Sequence, residues 1–189
     1  MKRYSRALGM IFGGLMILLS VTIAAETLLR KFFSYSLGGV DELGGYAIAV
    51  AAPLAFTVAL IENAHIRINQ VTAFLPKTLQ AILNGLAVIS IALLAGYFFY
   101  FSVVTVMETS AYKSVAQTPW ATPLIYPQSI WLMAMATFPL AALILAVKAI
   151  RMLASGDWQA LLQGFGPASA ADELKAELDD LKKREGVAR

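Results

Sequence analysis

The chain contains no cysteine and a single histidine, His65. The first absence excludes disulfides, thiolate-bound zinc, iron–sulfur clusters and thiol chemistry. The second excludes a bis-histidine haem ligated within this chain alone. Charge is scarce too: Asp, Glu, Lys and Arg make up 14% of the 189 residues, against about 25% in soluble domains. The net charge of +3 is small and dispersed, which gives no footprint for nucleic acid. No internal repeat is visible, and no acidic metal cluster.

Apolar side chains fill the space instead. They make up 59% of the sequence, with the charges gathered at the termini and in three short stretches between long apolar runs. A spanning helix needs roughly 20 predominantly apolar residues, and four segments qualify, at about 7–29, 43–61, 79–107 and 129–147. The third is long enough that it must tilt or project beyond the bilayer. Pro53 and Pro139 lie inside the second and fourth, where each removes a backbone donor and is expected to kink its helix. The expected fold is an all-α membrane protein. Four transmembrane helices occupy residues 1–153, and a cytoplasmic tail follows over 154–189.

Positive charge sets the expected orientation. With the N-terminus inside, the cytoplasmic flanks hold Lys2, Arg3, Arg6, Arg67, Lys77, Lys148 and Arg151. The outer flanks hold Arg30, Lys31 and Lys113, so both termini are expected in the cytoplasm. Phe32, Phe33, Tyr35, Trp120, Tyr126 and Trp131 fit an outer aromatic belt, with core packing as the ordinary alternative. The first apolar run exceeds the core of a cleaved signal peptide, so it is expected to remain as a span. In the tail, Leu174, Leu178 and Leu181 recur at helical spacing after a Ser169–Asp172 capping pattern, predicting a short amphipathic helix over about 170–185. A solvated helix and a docking helix both fit that pattern.

The polar residues near the spans are the candidate sites. Asp41 stands where the second span begins and is expected to cap it, with Glu42 in the first turn. Pairing with Arg30 and Lys31 is the structural reading of this acidic pair; a contact surface for another subunit is the functional one. Glu26 precedes Arg30 by four residues, the order that favours an ion pair on a helix. Its place near the outer end weakens the alternative of an ion-coupling carboxylate. His65 and Arg67 flank an inner loop in which Ile68, Val71 and Leu75 could lie along the membrane surface. A headgroup contact and a partner contact both suit His65. The outer loop from Ser110 to Pro127, with Pro119 and Trp120, is expected to be rigid and presented outward. Gly44, Gly45, Ala47, Ala49, Ala51, Ala52 and Ala55 make a small-residue face on the second span, for packing in the bundle or against another protein.

These pieces, in order, resemble a known family. "DEL" at 41–43, Tyr46 four residues after Glu42, an apolar span and then "AHIRIN" at 64–69 are similar to the DctQ-type small permease subunits of tripartite ATP-independent periplasmic (TRAP) transporters. The resemblance runs from about Arg3 to Arg151 and departs from the family at Ala64 and Asn69, where Gly and Asp are frequent. It implies a non-catalytic scaffold in the bacterial or archaeal inner membrane, with no cofactor of its own. Its implied partners are a large permease subunit, which carries substrate and ion sites with sodium coupling expected there, a periplasmic substrate-binding protein and membrane lipid. The implied cargo is an organic acid. Partner-interface candidates are Asp41, Glu42, Tyr46, His65, Arg67, Glu26, Arg30, Pro119 and Trp120. Two other classes stay open. One is a self-sufficient small exporter using Glu26; the other is a redox or enzymatic membrane subunit, which the scarcity of metal-ligating residues opposes.

Overall fold

Among the described residues the named helices follow in the order α1 Lys2–Phe33, α2 Val40–Ile61, α3 Lys77–Tyr112, α4 Ile125–Ser155 and α5 Trp158–Phe165. A single 3-10 turn at Thr72–Phe74 leads into α3. The structure, a computed structural model, describes residues 2–64 and 72–166 together with Leu178 and Leu181. His65, Arg67, Ile68 and Val71 lie outside the described residues, and so does the helix expected over 170–185 apart from those two leucines. No strand occurs among the described residues; Val115 and Pro123 form an isolated antiparallel bridge.

The four long helices are each long and apolar enough to cross a membrane. The 22 residues of α2 reach ~33 Å at 1.5 Å per residue, which matches a hydrocarbon core of about 30 Å. The 36 residues of α3 run to ~54 Å, well beyond that thickness. Helices α2 and α4 continue through Pro53 and Pro139. Beside the first proline, the Thr57 hydroxyl donates to the Pro53 carbonyl at 2.8 Å and lies 2.9 Å from the Thr137 hydroxyl of α4. Thr57 is fully buried, so this polar contact sits inside the packed seam.

Backbone chemistry explains where the helices stop. Lys113 takes a left-handed conformation after α3, and Ser114 N–H bonds back to the Thr109 carbonyl. Gly156 does the same after α4, where its own N–H reaches Leu153 and that of Asp157 reaches Met152. Both are Schellman-type ends, which satisfy the last orphan carbonyls. Asp157 then caps α5 by accepting from Ala160 N–H at 3.0 Å. Helix α5 falls in the stretch that sequence reasoning assigned to the tail. It packs back on α3 and α4.

Neighbour order across the layer is α1–α2–α4–α3. The two central helices are the more buried, and α1 and α3 form the edges. Close packing comes from alanine: Ala81, Ala95, Ala141, Ala142 and Ala149 are almost fully buried. Small side chains let helix backbones approach where lipid supplies no hydrophobic drive. Most of these alanines lie on α4, whereas only Ala51 of the small-residue run on α2 is buried. At one end, Ala81, Val88 and Ala149 close over Leu161 and Phe165 of α5. There Ser5 donates to Glu62, and the Asn63 amide reaches the Gly164 carbonyl at 3.2 Å, which ties α1, α2 and α5 together.

The edges carry a large exposed apolar surface. Met10, Ile17 and Leu18 on α1, and Leu93, Tyr97 and Met107 on α3, are all more than half exposed. A soluble monomer does not tolerate continuous faces of this size. Lipid or protein covers them.

Candidate functional site

The site is built where the α1–α2 and α3–α4 connections meet. Ser34 ends α1 with a positive φ, and Gly38 and Gly39 follow with φ of 61° and 82°. Successive left-handed residues suit glycine, which has no Cβ to clash. Gly39 is therefore the N-cap of α2, and Asp41 lies one position inside the helix. This corrects the expectation that Asp41 caps the helix: no side chain supplies a cap hydrogen bond here. The acidic pair still sits in the first turn, where the helix dipole favours negative charge.

The cap thus lies two residues earlier than expected, and the two carboxylates point apart. Asp41 is exposed, and Glu42 is buried at 8% exposure. One Glu42 oxygen accepts from the Tyr46 hydroxyl at 2.6 Å, one turn along α2. The other accepts from the Thr118 hydroxyl across the bundle, and Thr122 faces the same carboxylate. Among the described residues, no ion pair joins Arg30 or Lys31 to Asp41 or Glu42, which corrects the second expectation for the pair. Glu42 is used as a hydrogen-bond acceptor for the opposite loop.

That loop is a short hairpin. Ala116 N–H bonds Thr122 O, Leu124 N–H bonds Ser114 O, and Ala121 N–H closes a turn on Thr118 O. Pro119 and Trp120 occupy the two central positions of the turn, where the fixed φ of proline suits the first. The Trp120 indole then folds over Gly39 so closely that a Cβ at Gly39 would overlap it. The hairpin is thus fastened to the start of α2 twice, by Thr118 on Glu42 and by Trp120 on Gly39. The proline-rich loop is a hydrogen-bonded hairpin.

Glu26 organises the neighbouring connection. Its Oε1 accepts from Arg30 Nη2 at 2.8 Å and from the Ser36 hydroxyl at 2.6 Å. Its Oε2 accepts from the backbone N–H of Leu37 at 2.8 Å. The expected Glu26–Arg30 pair is present, with the carboxylate buried at 6% exposure. Ser36 and Leu37 were not foreseen, because a loop serine and a backbone amide carry no pattern of their own. Thr118 and Thr122 escaped notice for the same reason. Among the described residues, no three His, Cys, Asp or Glu side chains gather as a metal site.

The sequence-flagged residues Glu26, Arg30, Asp41, Glu42, Tyr46, Pro119 and Trp120 therefore converge on one end of the molecule. Their arrangement holds two loops. The contrast between the two acids is testable. Asp41→Asn should leave the melting temperature of the detergent-purified protein unchanged, whereas Glu42→Gln should lower it by several degrees by weakening the Tyr46 and Thr118 bonds. Equal effects of the two substitutions would contradict this division.

The sequence profile of one family, described as the DctQ component of tripartite ATP-independent periplasmic transporters, matches residues 7–154. That range takes in α1 to α4 and both fastened loops. A comparison with curated proteins finds no match. With most of its length under that profile, this four-span membrane chain belongs to the DctQ component family of TRAP transporters.

Proposed function

We propose that this chain is the non-catalytic scaffold of a secondary-active transporter, bracing a large permease subunit in the bacterial or archaeal inner membrane. The observation that carries this reading is the state of the buried polar groups in the spans and at their loop ends. Glu26 accepts from Ser36 and Leu37 of a loop, Glu42 from Tyr46 of its own helix and Thr118 of a loop, and the Thr57 hydroxyl is taken up by Pro53 and Thr137. Transporters that bind their own cargo use broken helices and midplane polar groups. Here the spans are continuous helices. The exporter reading, which needs Glu26 as a free ion carrier, has its candidate carboxylate engaged on both oxygens.

In this reading the large subunit holds the substrate and a sodium-coupled ion site, and a periplasmic binding protein delivers an organic acid. The exposed apolar edges α1 and α3 are available to the large subunit and to lipid. The Pro119–Trp120 turn is the feature presented to the outer face. A tagged copy of this chain should recover a large permease subunit in comparable amount. Recovery of the chain alone, in every detergent that keeps it folded, would count against the scaffold.

The orientation proposed places both termini in the cytoplasm, from the excess of Lys and Arg on that side. A cysteine at Ser34 should then react with an impermeant thiol reagent in intact spheroplasts, and one at Ser155 should not. The reverse pattern would invert the topology.

A further inference from the structure

A cavity of about 550 Å³ opens between α1 and α2 beside the fastened loops. Its polar rim carries Glu26, Arg30 and Lys31 from α1 and Asp41 from α2. Its apolar wall includes Ile23 and Ile48, which are 46% and 55% exposed on the helix surfaces below. The space exists because Gly44 and Gly45 bring no side chain; a Cβ at Gly45 would meet nothing within 4 Å.

The charges on the rim are balanced and separated. Glu26 and Arg30 neutralise one another in their 2.8 Å pair. Lys31 and Asp41 remain, one on each wall, and no ion pair joins them among the described residues. The cavity thus offers one cation and one anion to its occupant, above a hydrocarbon surface. A solitary anion would face Asp41 uncompensated, and a solitary cation would face Lys31.

We propose that this cavity is a binding site for a zwitterionic phospholipid with a primary-amine headgroup, of the phosphatidylethanolamine class. The lipid phosphate lies toward Lys31 and the open edge of the Arg30 guanidinium, whose side chain is 66% exposed. The ammonium lies toward Asp41, and the acyl chains run down past Ile23 and Ile48. Charged hydrogen bonds at both ends of the headgroup give the preference, and the glycines give the room. A lipid seated there would fill the groove between α1 and α2 next to the loops that Glu26 and Glu42 organise. This assignment is argued from the chain's own residues, and only its test in the complex rests on the scaffold reading.

The test uses the transporter complex that contains the full chain, stripped of lipid in detergent. A phosphatidylethanolamine carrying a photoreactive group near the glycerol is added, and its adducts are mapped by peptide mass spectrometry. Adducts should fall on residues 23–31 and 40–48, and unlabelled phosphatidylethanolamine should compete several-fold better than phosphatidylglycerol. Asp41→Asn leaves a net positive rim, so it should reverse that preference toward the anionic lipid. Gly45→Leu fills the cavity and should abolish these adducts while the large subunit still copurifies. If Gly45→Leu does not assemble, the preference switch in Asp41→Asn decides by itself. The proposal is overturned by adducts elsewhere, by equal competition from both lipids, or by competition from soluble glycerophosphoethanolamine matching that of the lipid. A photoreactive residue placed at Ile48 that crosslinks to a protein subunit instead would overturn it as well.

Discussion

Gly39→Val should be among the most damaging single substitutions in the described part of the chain. Gly39 has φ of 82°, and the Trp120 indole covers the place its Cβ would take. The left-handed conformation costs a residue with a Cβ roughly 1–2 kcal/mol, and valine, branched at Cβ, stands at the upper end. Overpacking against the indole adds about 1–3 kcal/mol. The two together are on the order of 3 kcal/mol or more, a large part of a typical stability margin. Thermal melting of the purified protein should show a clear drop. Adding Trp120→Ala to Gly39→Val should return the overlap share and leave the backbone share, giving a non-additive double-mutant cycle. A wild-type melting curve for Gly39→Val would mean that the hairpin does not sit on Gly39.

The second large effect is at the opposite end. Leu161 is fully buried and sits among Ala81, Val88 and Ala149, so it anchors α5 beneath α3 and α4. Leucine-to-alanine changes at such sites cost about 2–5 kcal/mol, depending on how far the cavity collapses. The alanine neighbours cannot fill the gap, whereas Met152 and Leu153, packed against the same cluster, can do so in part, which places the cost inside that range. Leu161→Ala should therefore speed amide exchange across Trp158–Phe165 and leave the α1–α2 connection protected, because that connection lies at the other end of α2 from the Asn63–Gly164 contact. Unchanged exchange in α5 would show that its docking does not depend on Leu161.

The two substitutions mark the limits of what the residue pattern disclosed. Four spans were legible because apolar runs of that length have few alternatives. Their ends were less so: each helix extends past its apolar run into polar residues, as α3 does from Met107 to Tyr112. Helix α5 was missed because 8 residues are too few to register as a periodic run. Its boundary signal, Gly156 followed by Asp157, was in the sequence and reads as a helix stop joined to a helix start. The small residues on α2 were visible, but the order α1–α2–α4–α3 was not, so the alanines of α4 could not be singled out as the packed ones.

At the candidate site, residue types were informative and geometry was not. Asp41 looked like the cap because it precedes an apolar run, whereas the glycine turn starts the helix two residues earlier and Glu42 is buried. Tyr46 is one turn from Glu42, but the other partner of Glu42, Thr118, lies 76 residues away. A hydroxyl at that separation has no local signature. The Glu26–Arg30 pair was legible since both members share one helix face, and its continuation to Ser36 was not.

The most direct measurement is ion-coupled uptake in proteoliposomes containing this chain alone, the large permease subunit alone, or both, with the binding protein and substrate supplied outside. A scaffold without its own ion path predicts no uptake from this chain alone and uptake from the pair. It also predicts the same ion stoichiometry in the pair when Glu26 is replaced by Gln, whatever that change does to the yield of folded complex. Ion-driven flux through this chain alone, or a stoichiometry altered by Glu26→Gln, would contradict the scaffold and place the coupling site here.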